Sequence, residues 1–458
     1  MNSAIHADPS GIRISTPAIK SMLLSGGRAA DGAIDRIVIF DDYSVASGGA
    51  TALALLAARQ LHSAGYRVTY ICGDRGDNGI LASEGIDLVA LGGADLLSAA
   101  PLAAAVDGLH NRTTAMAITR WIAAHDTPST VYHVHGWSKI LSPSLFDALA
   151  PVAERTIVHA HDFFAACPNG AFYDYRRLET CARRPLSADC LTTSCDKRNF
   201  VHKTWRSARG ANLFLQLRRR RRFRRIVLLH EKMDTYFMRA GYAPERLITI
   251  RNPAKAFSET RIAAENNRDL FFIGRLDPEK GILEAVAAAT KLGLRLTVIG
   301  DGPLRAKIES VGAHVQVLGW LPAQKISLTV SRARGLIMPS RYPEPFGLVA
   351  VEAAASGLPV LLPESAFLAE EMRSLGMAIT FKPGKPEAME RAMIALDRLR
   401  AHELRSMSEA AHERAHGLFL RPEEWRDALL ACYLDLLRSQ ADDFPATPSR
   451  LSRYGRWS

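Results

Sequence analysis

The stretch that most constrains this chain is residues 338–359, MPSRYPEPFGLVAVEAAASGLP. Pro339, Pro343 and Pro345 exclude a helix interior at its start, because each lacks an N–H and clashes with the preceding turn. The alanine-rich run that follows Phe346 and Gly347 is a helix that Gly357 and Pro359 stop. A turn therefore feeds directly into a helix. The amides of Gly347, Leu348 and Val349 fall in its first turn, where unpaired N–H groups and the macrodipole favour an anion. The expected occupant is a phosphate.

Glu344 and Glu352 flank that turn with seven residues between them. A carboxylate accepts hydrogen bonds from vicinal hydroxyls, so phosphate on the amides and hydroxyls on the glutamates describe a nucleotide sugar. Spacing alone also fits a solvated face with a helix-start charge. The pattern resembles the E-x7-E signature of retaining glycosyltransferases of family 4, which have the GT-B fold of two Rossmann-like domains. That resemblance implies that Glu344 holds hydroxyls of the donor sugar and Glu352 the ribose, with Phe346 beside the bound donor.

At 458 residues the chain suits two domains plus tails. Its net charge of +11 points to an anionic partner without choosing among nucleic acid, anionic lipid and nucleotide diphosphate. No run of eighteen apolar residues exists, and the first fifteen residues lack a signal peptide's apolar centre. The expected location is the cytoplasm, peripheral on the inner face of the plasma membrane.

Residues 1–34 are polar and expected to be loose. The run RIVIF from Arg36 reads as a buried strand. Gly48-Gly49 then opens a helix ended at Gly65, and another strand follows. Such a unit brings backbone close to a ligand, although a glycine pair is as often only a tight turn. Strands at 130–134 and 156–159 end in histidine-bearing loops, His133 and His135 in the first, His161-Asp162 in the second. Carboxyl ends of parallel strands line the crevice of open α/β sheets. His133 and His135 read as buried, satisfied side chains. The resemblance places His161 against donor sugar and acceptor near the anomeric centre.

Two segments stand apart. Cys167, Cys181, Cys190 and Cys195 supply four of the six cysteines. In a reducing compartment such a group could close a structural zinc site or, less readily, an iron–sulfur cluster, and free buried thiols are the equal alternative. The insertion, about 163–225, is similar to one in a subset of bacterial polysaccharide glycosyltransferases. From Arg218 to Arg225 only Phe223 is not arginine. A solvated charge run is the plain reading. The functional one is docking on an anionic membrane, with Trp205, Leu213, Phe214, Leu215 and Phe223 dipping into the interface. Aromatic interleaving is sparse, so a nucleic-acid partner is not expected.

The strand ending at Asn252-Pro253 suits a domain crossing, which bounds an N-terminal acceptor domain at 35–253. The second domain, 254–421, opens on a strand and a loop carrying Arg275 and Lys280. Paired cations there can neutralise a diphosphate, with charge-assisted hydrogen bonds of roughly 1.5–3 kcal/mol each. The loop is similar to the family's G-R-L-x-x-x-K-G. Gly300 and Gly302 are expected to let backbone approach the nucleotide. Trp320 and Leu321 fall where relatives border the base, and Trp320 is equally a core candidate. The stretch after the focal helix, VLLPESAFLAEEM, departs from the family's paired glycines. A helix is expected at 422–439, which the resemblance implies crosses back to the first domain, and 440–458 is expected to be disordered.

The resemblance implies a metal-independent, retaining glycosyltransferase. It would take a nucleotide diphosphate sugar as co-substrate, no catalytic cofactor, and a saccharide or polyprenyl-linked acceptor in surface polysaccharide synthesis. The alternatives are an epimerase or phosphorylase of the same fold, or a basic nucleic-acid-binding protein with an inactive domain.

Overall fold

The computed structural model describes residues 34–46, 48–219, 223–312 and 314–443. The segments 1–33 and 444–458, expected to be loose, lie outside the described residues.

Apolar runs bounded by glycine and acidic residues become buried parallel strands, and each is followed by a chain segment that returns along a sheet face. The first sheet contains β1 (Arg36–Asp41), β2 (Val68–Cys72), β3 (Asp87–Ala90), β4 (Thr130–Val134), β5 (Thr156–Ala160), β8 (Arg225–Leu228) and β9 (Leu247–Thr249). Their order is β3-β2-β1-β4-β5-β8-β9, parallel throughout. Between β5 and β8 lies the insertion, whose strands β6 (Tyr173–Asp174) and β7 (Glu179–Thr180) form a two-residue hairpin.

The second sheet contains β10 (Asp269–Ile273), β11 (Leu296–Ile299), β12 (Val315–Gly319), β13 (Ala333–Ile337), β14 (Val360–Pro363) and β15 (Ala378–Phe381). It is parallel in the order β12-β11-β10-β13-β14-β15. Each sheet reverses strand order beside its first strand, so each has a crevice at the carboxyl ends of its central strands.

The chain crosses between the domains twice, side by side. Leu420 N–H donates to Asn252 O at 3.2 Å, Ala254 N–H to Leu420 O at 3.4 Å, and Pro253 bridges Leu420. The final helix, Pro422–Asp443, runs four residues beyond the expected end at 439. Its Trp425, Leu429, Cys432, Tyr433 and Leu436 are fully buried in the core of the first domain, against Ile37, Ile39, Leu53 and Tyr70.

Of the five side chains expected to anchor the arginine-rich segment in a membrane, two are in the core. Phe223 is 2% exposed and meets Phe146 edge-on, and Leu213 is 1% exposed. Trp205 packs on Gly108 and donates to Ala105 O at 2.8 Å. Leu215 stands exposed. Arg225 opens β8 and pairs with Asp435 of the final helix at 2.7 Å. An apolar side chain with a vacant core position gains more there than at a charged surface. The side chains of 218–222 lie outside the described residues.

Candidate active site

The focal stretch folds as its prolines require. After β13 the chain runs without helix or strand, bending at Arg341, Tyr342 and Pro345, and enters the helix Leu348–Ala355. Gly347 caps that helix in the left-handed region at φ 73°, where a Cβ would stand 3.0 Å from Met338 Sδ. Ala350 makes the first return bond, to Gly347 O at 2.9 Å, so the amides of Leu348 and Val349 stand ahead of it. Phe346, expected at the donor, is instead 3% exposed in the core.

Beneath the helix start, residues far apart in sequence meet. Lys280 Nζ donates to Glu344 Oε2 at 2.8 Å and to Tyr342 OH at 2.7 Å, and Ser340 Oγ donates to Glu344 at 2.9 Å. Burial pushes the Glu344 carboxyl up, but the ammonium and these hydrogen bonds outweigh it and hold the group below its ordinary range. Lys280 is kept charged in the same way: burial disfavours the ammonium, and Glu344 and Tyr342 more than restore it. Glu352, inside the helix, has no such neighbour, and burial pushes its carboxyl up to about 8.

Arg275 lies on the neighbouring loop, largely exposed and paired with Asp277 at 2.8 Å. Gly300 and Gly302 allow a close approach within the protein itself. Their φ values are 142° and 156°, and a Cβ on Gly300 would overlap the Gly274 carbonyl while one on Gly302 would stand 2.9 Å from Leu276 backbone. They let two loops touch, which in turn fixes Arg275. Trp320 is 71% exposed, not core, with half-buried Leu321 beside it.

Across the cleft, Gly49 opens the Gly49–Ser63 helix, and a Cβ there would stand 3.4 Å from Leu348 Cδ1 of the facing helix start. Gly48 is extended at φ −169° with open space around it. His161 Nε2 lies 2.9 Å from His135 Nδ1, and its ring stacks on His159 at 4.4 Å. His133 bridges His159 at 3.2 Å and Tyr433 OH of the final helix at 2.7 Å. Burial holds His161 and His133 down at about 3, and lowers His135 and His159 likewise, so the ladder is neutral. His135 and His159 are not fully satisfied, since each leaves a buried Nε2 without a partner.

Sequence reading missed two cations. Lys139 sits on a loop whose amides at Lys139, Ile140 and Leu141 all donate to Asp42, at 2.7, 2.8 and 2.9 Å. Burial lowers its ammonium, opposed by Asp95 and reinforced by Arg206 and by Arg275 of the other domain. The only signal was Asp42 itself, an acid at the end of β1.

Residues 255–414 match the family model described as glycosyl transferases group 1. Glycogen synthase of Mycobacterium tuberculosis is 28% identical over 225 residues, 45% of this chain and 51% of that protein. The chain thus spans about half the length of the curated relatives it matches. Two solved structures cover nearly all of the described residues. Sucrose-phosphate synthase from Thermosynechococcus elongatus superposes with a TM-score of 0.65 at 16% identity, over 89% of this chain and 99% of that one. HepE from Anabaena, in complex with UDP and glucose, gives 0.59 at 16% identity, over 90% and 99%.

The fold is GT-B. The first parallel sheet lies within 36–249 and the second within 269–381, and the helix Pro422–Asp443 returns to the core of the first. The matched family segment contains the whole second sheet and carries Lys280, Glu344 and Glu352.

Proposed function

We propose that this protein is a retaining glycosyltransferase of family 4, moving a sugar from a nucleotide diphosphate sugar to a saccharide or lipid-linked saccharide acceptor in polysaccharide synthesis. The observation that carries the reading is the Lys280–Glu344 pair beneath the Gly347 helix start, at a cleft closed from the other side by Gly49. The diphosphate rests on the Leu348 and Val349 amides. Lys280 and Arg275 neutralise charge as the leaving group departs, so no bridging metal is required. Glu344 holds donor-sugar hydroxyls and Glu352 the ribose. Neutral His161 positions the reacting sugar, and the leaving phosphate accepts the acceptor's proton. Support for a uridine donor comes from HepE, solved with UDP and glucose on the same fold.

Half-buried Lys139 lies near Arg275 of the other domain and near Arg206, which pairs with Asp196 at 3.3 Å, and this suits an acceptor bearing phosphate, as a polyprenyl-linked saccharide does. Among the described residues no helix is long and apolar enough to cross a membrane. Contact with an anionic membrane rests on Arg218–Arg222 alone.

The test is turnover of uridine, guanosine and adenosine diphosphate sugars without added Mg2+ or Mn2+, with the product's anomeric configuration read by NMR. Glu344→Ala and Lys280→Ala should each lower kcat by about 10²–10³-fold, the scale on which oxyanion-stabilising donors act. Wild-type turnover in both variants would sink the reading.

A further inference from the structure

Residues 163–199 form a lobe with little regular structure: the β6–β7 hairpin and one five-residue helix, Ala188–Thr192. Among the described residues, four non-glycine positions have positive φ, and three of them, Phe172 (45°), Leu178 (57°) and Leu186 (60°), are in this lobe. Such conformations cost about 1–3 kcal/mol each and persist only where something else fixes the chain. A segment this short cannot build enough core for that and ordinarily needs a staple.

The staple material is in place. Cys167, Cys181, Cys190 and Cys195 are each 5–8% exposed and unbridged, with Cys190 on the Ala188–Thr192 helix and the other three on irregular stretches of the lobe. Nitrogen donors are aimed at three of the sulfurs: Lys203 Nζ at Cys190 Sγ (3.4 Å), Arg183 Nη1 at Cys181 Sγ (3.8 Å) and Asn169 Nδ2 at Cys195 Sγ (3.5 Å). Cys167 Sγ lies 3.2 Å from the same asparagine, at Oδ1. Lys203 is only 1% exposed, with thiol sulfur as the partner of its ammonium. A buried ammonium needs an anion, and neutral thiols are poor acceptors; the donors at Cys181, Cys190 and Cys195 suit thiolates, while Cys167 donates its own S–H to Asn169 Oδ1 until it loses that proton to bind.

We propose that the four sulfurs bind one zinc ion as a structural tetrathiolate, tying the 163–199 lobe into a single unit. Four thiols give up four protons to the solvent as the ion binds, and the resulting site carries two net negative charges. Lys203 and Arg183 offset them through N–H···S bonds. The sulfurs are not as close as those of His133, His135 and His159, whose donor atoms lie within 4.8 Å of one another. The Lys203 ammonium stands among them, and loading turns it outward while the sulfurs close to about 2.3 Å from the metal. The histidine group is the poorer site, since three neutral imidazoles in a closed core bring no negative charge to a dication.

The lobe bears on the cleft. Lys197 pairs with Glu279 at 2.8 Å, one residue before Lys280, and Thr180 lines a cavity of about 320 Å³ with Lys232, Pro343, Glu364 and Phe367. The metal's consequence for donor binding rests on the sugar-transfer reading; the metal itself does not.

The experiment is elemental analysis of the full chain purified without chelators. About one zinc per chain is expected, falling below about a tenth in Cys190→Ser and Cys195→Ser and unchanged in Cys72→Ser, which lies outside the lobe. Should the serine variants not fold, two measurements on the wild-type chain replace them. An organomercurial should release the zinc in step with thiol titration. Cobalt exchange should give the sulfur-to-metal charge-transfer bands of a tetrahedral thiolate site. Less than about a tenth of an equivalent in the wild-type chain overturns the proposal. So do zinc retained in both serine variants, an intact mass lowered by disulfide formation, or iron with visible cluster absorbance. Zinc found in a chain that transfers no sugar would refute the functional reading and leave this one standing.

Discussion

Glu352 has its carboxyl pushed up to about 8 by burial alone. In the free cleft it is therefore protonated below that pH. Hydroxyls donate to the anion, so a bound ribose favours the ionised form and lowers its pKa. Binding then releases a proton, and nucleotide affinity rises with pH, by up to about tenfold per unit, levelling off above about 8. Calorimetry near neutral pH in buffers of different ionisation heat should detect that proton for the wild-type chain and none for Glu352→Gln. Glu344, Glu352 and Lys280 were legible because each belongs to a short motif whose chemistry is local. Lys139 was not, since its approach to Arg275 depends on a loop pinned by Asp42 at the end of the neighbouring strand, and Arg206 reaches it from a separate helix, Phe200–Phe214.

At the scale of elements, the parallel strands were legible from their continuous apolar runs, and the helix at Leu348–Ala355 from its flanking breakers. The arginine run was less so. Composition averages over position, and a single apolar residue among seven arginines gives no periodicity from which a buried face could be read. In the fold that residue, Phe223, fills the space beside Phe146 just before β8. Phe223→Ala should cost about 3–5 kcal/mol in denaturant unfolding, as expected of a buried aromatic and not of a solvated loop. A loss within about 0.5 kcal/mol would place it at the surface after all. Gly300 and Gly302 were recognised as places of close approach; their contact with the neighbouring Gly274–Leu276 loop is one that no local pattern could specify.

For the whole molecule, the two domains are joined by charge as well as by chain. Arg251, 3% exposed, reaches Glu231 of the first domain and Glu371 of the second at 2.9 Å each, and His230 meets Glu371 at 3.0 Å. Burial disfavours the Glu371 anion, but these partners hold its carboxyl far below the ordinary range. Removing one member of a buried cluster leaves the others uncompensated, so Arg251→Ala should lose about 3–5 kcal/mol and, by small-angle scattering, open the cleft. An unchanged profile with unchanged stability would show the domains held by the paired crossings alone. Two domains were legible from length and from Asn252-Pro253; this latch was not, because its members are up to 141 positions apart. The return of Pro422–Asp443 has a temporal consequence. The first sheet is synthesised before Trp425 and Tyr433, so its core waits, incompletely packed, until the whole second sheet has been made.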